Sequence, residues 1–365
     1  MVTVQSNGKF LHVAGNSTAD ILSERMAKLL TWGILGTGNI AKQFAAGMAT
    51  ARRGRIAAVG SREPGSAEAF ANAYAIENRH DYAGLISDRS VDAIYLSLPN
   101  SLHHEWTIKA LNAGKHVLCE KPFALDGPQA MEMFDVAQKQ GKMLIEAFMY
   151  RSHPYVPAVQ KVIASGAIGE VRLIRTNFCY RTTKIAGNVR FQRNLGGGAL
   201  MDVGCYCLNF TRHFAAAEPV SIQASARFHE SGVDQITSAT MQMSHGILAS
   251  FTCGMSVQAD NTAAICGTEG YIEIAWPWKP AAGKGGYVLA HSAPPKQDQK
   301  GEAAPVAPPR QIISIDANQD LYALEADDFA ATVLDGAAPA ITREDTIGNM
   351  RCLDEIRSQI GLRFD

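Results

Sequence analysis

Three side chains in this 365-residue sequence are spaced to hold charge and exchange a proton: Lys121, Asp202 and Tyr206. Lys121 follows the strand expected from Lys115 to Cys119, apolar over its last three residues, and Pro122 fixes the backbone behind it. A lone cation at the carboxyl edge of a buried strand can donate to a substrate oxygen as that oxygen gains charge. Asp202 and Tyr206 stand at i and i+4 just after Gly196-Gly197-Gly198, so a helix opening there projects both from one face. The glycines permit close backbone approach. A phenol titrates at about pH 10, but a cation about 4 Å away at an effective dielectric of 20 contributes up to roughly 4 kcal/mol. That charge lowers the phenol's pKa by at most ~3 units. Lys121 can supply it. Tyr206 then takes or gives the hydroxyl proton, Lys121 stabilises the oxyanion and Asp202 orients the substrate. The competing reading makes Tyr206 a core aromatic among Cys205, Cys207 and Leu208.

These groups need a scaffold, and Trp32 to Ala41 (WGILGTGNIA) describes its first piece. The apolar run Leu29 to Leu35 is a buried parallel strand, and Ile40, Phe44 and Met48 recur at helical spacing after it. Gly36 permits the tight turn, Gly38 lets the backbone approach a pyrophosphate, and Ala41 lets the helix pack on its strand. Free N–H groups at the helix start attract phosphate. Strands over 55–60, 91–98, 115–119 and 143–148 alternate with helices over 102–113 and 128–140, the pattern of a doubly wound parallel sheet. After 55–60 the chain offers Ser61 and Arg62 where an NAD enzyme places a carboxylate. A guanidinium there fits the 2′-phosphate of NADP better than NAD, though an ordinary surface arginine also satisfies the pattern.

Apolar residues make up 47% of the chain, enough for a sizeable core and two domains. A formal net charge of −1 supplies no field to gather nucleic acid or an anionic membrane, so small molecules and copies of the chain itself are the expected partners. Seven scattered cysteines without a C-x-x-C pair point to a reducing, cytoplasmic setting, with Cys205 and Cys207 as buried thiols. No Cys/His cluster suggests a metal, and none is expected. No apolar run approaches the roughly 20 residues of a spanning helix. Residues 1–28 read as a flexible arm, or as an extension upstream of a chain start at Met26.

Gly36-x-Gly38-Asn39-Ile40-Ala41, Pro99-Asn100-x-x-His103, Glu120-Lys121-Pro122 and Glu146 to Arg151 (EAFMYR), in that order, resemble the glucose-fructose oxidoreductase and inositol dehydrogenase (Gfo/Idh/MocA) family. The last run is most similar to the branch of trans-dihydrodiol dehydrogenases and NADP-dependent D-xylose dehydrogenases. That family usually carries Asp-x-Gly-x-His where this chain has Asp202 and Tyr206, and the branch also carries the tyrosine. The resemblance implies an α/β chain. An N-terminal Rossmann domain spans 29–150. An α+β substrate-binding and dimerisation domain with an open, mostly antiparallel sheet spans 151–340, and a C-terminal helix over 341–365 returns to the first domain. Residues 279–311, rich in Pro, Ala and Gly, read as an exposed insertion.

The resemblance implies an NADP-dependent oxidoreductase acting on a D-xylose-like aldose or a trans-dihydrodiol, as a homodimer or higher homo-oligomer. The alternatives are a catalytically silent NADP-binding sensor of the same fold, or an anhydro-sugar reductase. Expected against the cofactor are Gly36, Thr37, Gly38, Asn39, Ile40, Ser61, Arg62, Leu98, Pro99, Asn100, His103, Glu120 and Lys121. Expected against the substrate are Lys121, Phe148, Arg151, Asp202 and Tyr206, although Phe148 fits a core position equally well.

Overall fold

The computed structural model describes residues 2–6, 9–13, 28–280, 283–292 and 309–364. Its first two strands, β1 (Val2–Ser6) and β2 (Lys9–Val13), fall within the segment expected as a flexible arm. They pair antiparallel with each other, and β1 pairs with a late strand, Arg310–Asp316. An open sheet edge presents unpaired N–H and C=O groups, and this segment satisfies them. Residues 14–27 lie outside the described residues, as do 293–308 of the expected insertion. The part of that insertion from Lys284 to His291 is a strand of the same sheet.

The sequence alternation produces a six-stranded, all-parallel sheet. Its strands are β3 (Leu30–Leu35), β4 (Gly54–Gly60), β5 (Asn78–His80), β6 (Ala93–Leu96), β7 (His116–Glu120) and β8 (Leu144–Ala147), ordered 5-4-3-6-7-8. The order reverses between β3 and β6, and ligands bind outside the carboxyl ends at such a switch point. Register makes those ends coincide: Leu35 lies opposite Leu96, and Leu96 opposite Cys119. The turns after β3, β6 and β7 therefore reach one edge together. Helix α1 (Asn39–Gly47) buries Ala41, Phe44 and Ala45, with Ile40 half-buried, as the spacing requires.

Among the described residues the second sheet has ten strands, antiparallel except where β9 (Val171–Cys179) runs parallel to Leu248–Gly254. Alternate residues on its central strands are buried, and a shallow 910 Å³ depression lined by Asn177, Ser238 and Thr252 lies on the open face. Two late helices close the molecule over the parallel sheet. Leu321–Asp335 brings Phe329 to within 5.0 Å of the Trp32 ring, and its Asp327 accepts the Arg52 and Arg53 N–H groups. Arg343–Ile360, started by a Thr342/Asp345 capping box, gives Asp354 to the Gly127 N–H. All seven cysteines are free, with Cys205 and Cys207 buried, and no described helix is long and apolar enough to cross a membrane.

At the end of β8, Glu146 is buried and accepts the Phe123 N–H at 3.1 Å, two residues past Lys121. Burial pushes its carboxyl up to about 8 from an ordinary 4.5. Between those values the folded chain keeps a proton that the unfolded chain releases, so this residue's contribution to stability falls as pH rises, by at most ~1.4 kcal/mol per pH unit. Glu146→Gln keeps an acceptor for Phe123. Its Tm should match wild type near pH 4.5 and exceed it by several degrees at pH 8; thermal melts that stay parallel across that range would contradict this.

Candidate active site

The cleft is built where the three parallel-strand ends meet the second domain, and it encloses about 280 Å³. Its floor is the switch point. Gly36 adopts φ +107°, a region a side chain rarely enters, and faces Ser97, whose N–H and hydroxyl both donate to the Leu35 carbonyl. Gly38 caps α1 with no side-chain bond to the first-turn N–H groups, and a Cβ built on it would meet nothing within 4 Å. An uncapped helix start beside open space at Gly38 fits a dinucleotide pyrophosphate. Asn39, Ile40, Leu98, Pro99, Asn100 and Glu120 also line the cleft. At the end of β4, Ser61 is buried with its hydroxyl accepting the Glu63 N–H, and Arg62 is exposed beside Tyr82.

Lys121 enters from β7 through a cis Lys121–Pro122 bond. Its Nζ donates to the Asp202 carbonyl at 2.8 Å and approaches Asp202 Oδ1 at 3.4 Å. Asp202 lies in a π-helical turn, Leu200–Gly204, that leads into the helix Cys205–Ala215. Such widened turns recur at functional sites. Asp202 Oδ2 accepts the Tyr180 hydroxyl at 2.6 Å and Arg190 Nε at 2.8 Å. Burial works against this carboxylate, yet Lys121 and Arg190 outweigh it and hold the pKa down at about 2. Burial likewise opposes the Lys121 charge, and Asp202 reverses the balance, so the ammonium titrates above its usual range. Glu120 behaves oppositely. Its Oε1 accepts the Tyr95 hydroxyl, its Oε2 the Lys121 N–H at 3.2 Å, and burial raises its pKa.

The expected activation of Tyr206 is corrected by this geometry. The ring does converge on Lys121, but the ammonium stands 5.0 Å from the ring centroid, and the hydroxyl donates to Met149 Sδ at 3.3 Å. Packed against Phe148 and Phe178 and only 4% exposed, the phenol is driven by burial well above its ordinary pKa. It holds its proton at neutral pH.

Three further expectations change. His103 is wholly buried, its ring nitrogens 2.8 Å from the Leu98 carbonyl oxygen and 2.9 Å from that of Pro122, one of which takes the single N–H of the neutral ring, so it packs between two cleft loops rather than touching a ligand. Phe148 is core. Arg151 turns away from the cleft to Asn209, the Ala340 carbonyl and Asp345. The glycine run serves the chain itself: a Cβ on Gly197 would lie 2.5 Å from the Arg190 carbonyl oxygen, and one on Gly198 would lie 2.2 Å from Asp234 Oδ1. Tyr180 and Arg190 were missed. The signal for Tyr180 was its place at the end of β9; Arg190 sits in a single 3-10 turn, Val189–Phe191, too short for any periodicity to mark it. Among the described residues no group of three or more His, Cys, Asp or Glu is placed to hold a metal ion.

If the carboxylate is what keeps both cations in place, Asp202→Asn should lower stability at pH 7 by about 2 kcal/mol. Urea denaturation reads this, and an unchanged midpoint at unchanged slope would show that Lys121 and Arg190 do not depend on it.

Comparison with known proteins agrees with this architecture. Residues 30–148 match the description "Oxidoreductase family, NAD-binding Rossmann fold", and residues 156–273 match "GFO/IDH/MocA C-terminal domain". The chain is 34% identical over 255 residues to trans-1,2-dihydrobenzene-1,2-diol dehydrogenase of Mus musculus, covering 69% of this chain and 76% of that one. It is 29% identical to D-xylose 1-dehydrogenase (NADP(+)) 2 of Haloferax volcanii, covering 90% and 96%. A crystal structure of a 3-ketoreductase from Actinomadura kijaniata, in complex with NADP and TDP-benzene, superposes with a TM-score of 0.78 at 28% identity, covering 91% of this chain and 98% of that one. An aldose-aldose oxidoreductase from Caulobacter crescentus superposes with a TM-score of 0.79 at 27% identity, covering 91% and 97%. With both domains matched in order over a shared cleft, the chain belongs to the Gfo/Idh/MocA family of oxidoreductases.

Proposed function

We propose that this protein is an NADP-dependent oxidoreductase acting on the CH–OH or carbonyl carbon of a sugar or cyclic vicinal diol, with a D-xylose-like aldose or a trans-dihydrodiol as the first candidates. The observation that carries the reading is Lys121: a half-buried ammonium kept charged at the carboxyl edge of the parallel sheet, facing the cleft. NADP, when bound, supplies hydride exchange at its nicotinamide. Gly36, Thr37, Gly38, Asn39 and Ile40 would hold its pyrophosphate end, Arg62 with Ser61 its 2′-phosphate, and Leu98, Pro99, Asn100 and Glu120 the wall beside it.

Lys121 donates to the substrate oxygen as negative charge develops there, a contribution made in the transition state rather than in the ground state. Tyr206, still carrying its proton at neutral pH, is assigned the acid's part in carbonyl reduction, and its hydroxyl must leave Met149 to reach the substrate oxygen. Oxidation is the reverse and starts from the Tyr206 phenolate, which takes the substrate hydroxyl proton and becomes the phenol again. Asp202 holds Lys121 and Arg190 in register. For a homodimer this reading assigns the contact to the open polar face of the ten-stranded sheet.

Absorbance at the NADPH band, with D-xylose, D-glucose and a trans-dihydrodiol for oxidation and matching carbonyl compounds for reduction, tests the assignment. Lys121→Met should lower kcat about 10²–10³-fold with NADPH binding retained, and Tyr206→Phe about 10²-fold. A Tyr206→Phe enzyme with wild-type kcat would return that ring to the core. Arg62→Ala should raise KM for NADP about tenfold and leave KM for NAD where it was; a wild-type enzyme that favours NAD contradicts the assignment of Ser61 and Arg62.

A further inference from the structure

Arg190 has no part in the steps above, yet it is one of the most deliberately placed side chains on the cleft wall. Its carbonyl accepts the Gly198 N–H at 2.9 Å, and its own N–H donates to Asn188 Oδ1 at 3.1 Å. Gly197 leaves room for that backbone and for nothing larger. The side chain is pinned at one nitrogen, Nε on Asp202 Oδ2, which fixes the plane of the guanidinium. Among the described residues neither η nitrogen has a hydrogen-bond partner, and the side chain, 46% exposed, lines the cleft. The Asp202 charge drives its pKa upward, so the fork is always cationic.

The other polar groups of the cleft decide what this fork can meet. Asp202, expected to orient substrate hydroxyls, has one oxygen shared by Tyr180 and Arg190 and the other facing Lys121. The Glu120 oxygens go to Tyr95 and the Lys121 N–H. Asn100 donates its amide nitrogen to the Gly196 carbonyl, which leaves its Oδ1 as the side-chain acceptor it still offers. The carboxylates are thus engaged while the η nitrogens of Arg190 remain open donors, and two cations share the one carboxylate held between them. A neutral polyol, which offers as many donors as acceptors, matches such a wall poorly; a planar anion matches it at two points.

Resting on the oxidoreductase reading, we infer that Arg190 is a specificity-determining residue that binds a carboxylate on the substrate, so that the preferred substrates are acidic sugars rather than their neutral counterparts. Matched pairs isolate the effect: D-glucuronate against D-glucose and D-galacturonate against D-galactose differ only in a carboxylate for a hydroxymethyl group. With NADP, wild type should show kcat/KM about tenfold or more higher for each acid, carried by KM, because a charged partner left unpaired is costly. Arg190→Met should bring the acid-to-neutral ratio to about 1, and Arg190→Lys, a point charge without a fork, should leave it between the two.

A wild-type ratio near 1, or a ratio that survives Arg190→Met, overturns the inference. If neutral sugars are turned over at a ratio near 1, the oxidoreductase reading stands and only the role of Arg190 falls. If no compound is turned over, that reading falls, and titration of NADPH fluorescence with the same pairs still decides whether Arg190 selects the acid.

Discussion

An ammonium inside a protein is stable only when an anion is brought to it, and here the two come from different domains. Lys121 rides at the end of a parallel strand, and Asp202 sits some eighty residues later in a widened helical turn. Transfer of either charge alone into a water-poor cleft costs several kcal/mol, so the joint position of the domains is written into this pair. Much of the surrounding structure is explained by it. His103 is wedged between the Leu98 and Pro122 carbonyls and donates its one N–H to one of them, which packs the loop after β6 against the loop that carries Lys121. Gly198 lets Asp234 approach the start of the π turn, where Asp234 accepts the Leu200 N–H at 2.8 Å.

The same pair separates two carboxylates that share one wall. Asp202, between two cations, titrates at about 2, whereas Glu120, set against the Tyr95 phenol, is raised by burial. Burial alone would raise both, so the difference lies in the partners. The phenol of Tyr206 shows the reverse limit. An ammonium over a ring face is a cation–π contact, and it does little for a hydroxyl that points at a thioether. Proximity of a cation to a tyrosine is therefore insufficient to make a base. The charge must reach the oxygen.

What could be read from the sequence was what repeats along it. Buried strands, the glycine turn with its positive φ at Gly36, the helix spacing of Phe44 and Ala41, and Lys121 at a strand end all follow from local pattern, and the observed elements differ at their ends by a residue or two. Pattern failed where a side chain's partner is distant. Nothing near Arg151 says that its guanidinium belongs to Asn209 and the Ala340 carbonyl, and nothing near Gly197 says that its missing Cβ makes room for Arg190. The i, i+4 rule did bring Asp202 and Tyr206 to the same neighbourhood. The π turn and the aromatic packing then left the carboxylate lining the cleft and the ring packed on Phe148 beside Lys121.

Rigidity of the frame is what gives these placements chemical value. Two carboxylates on late helices, Asp327 and Asp354, accept backbone N–H groups of the first domain at Arg52, Arg53 and Gly127, and Phe329 packs on Trp32 between them. Two attachments far apart in sequence oppose a simple hinge, because opening about one strains the other. A donor that is already aimed and already charged spends no reorganisation energy when an oxygen in front of it becomes negative, which is where electrostatic catalysis has its largest effect. The long helices that complete the C-terminal half thus belong to the chemistry as much as the residues of the cleft: they hold Lys121 and Asp202 at one separation, and the rest of the cleft is arranged around that distance.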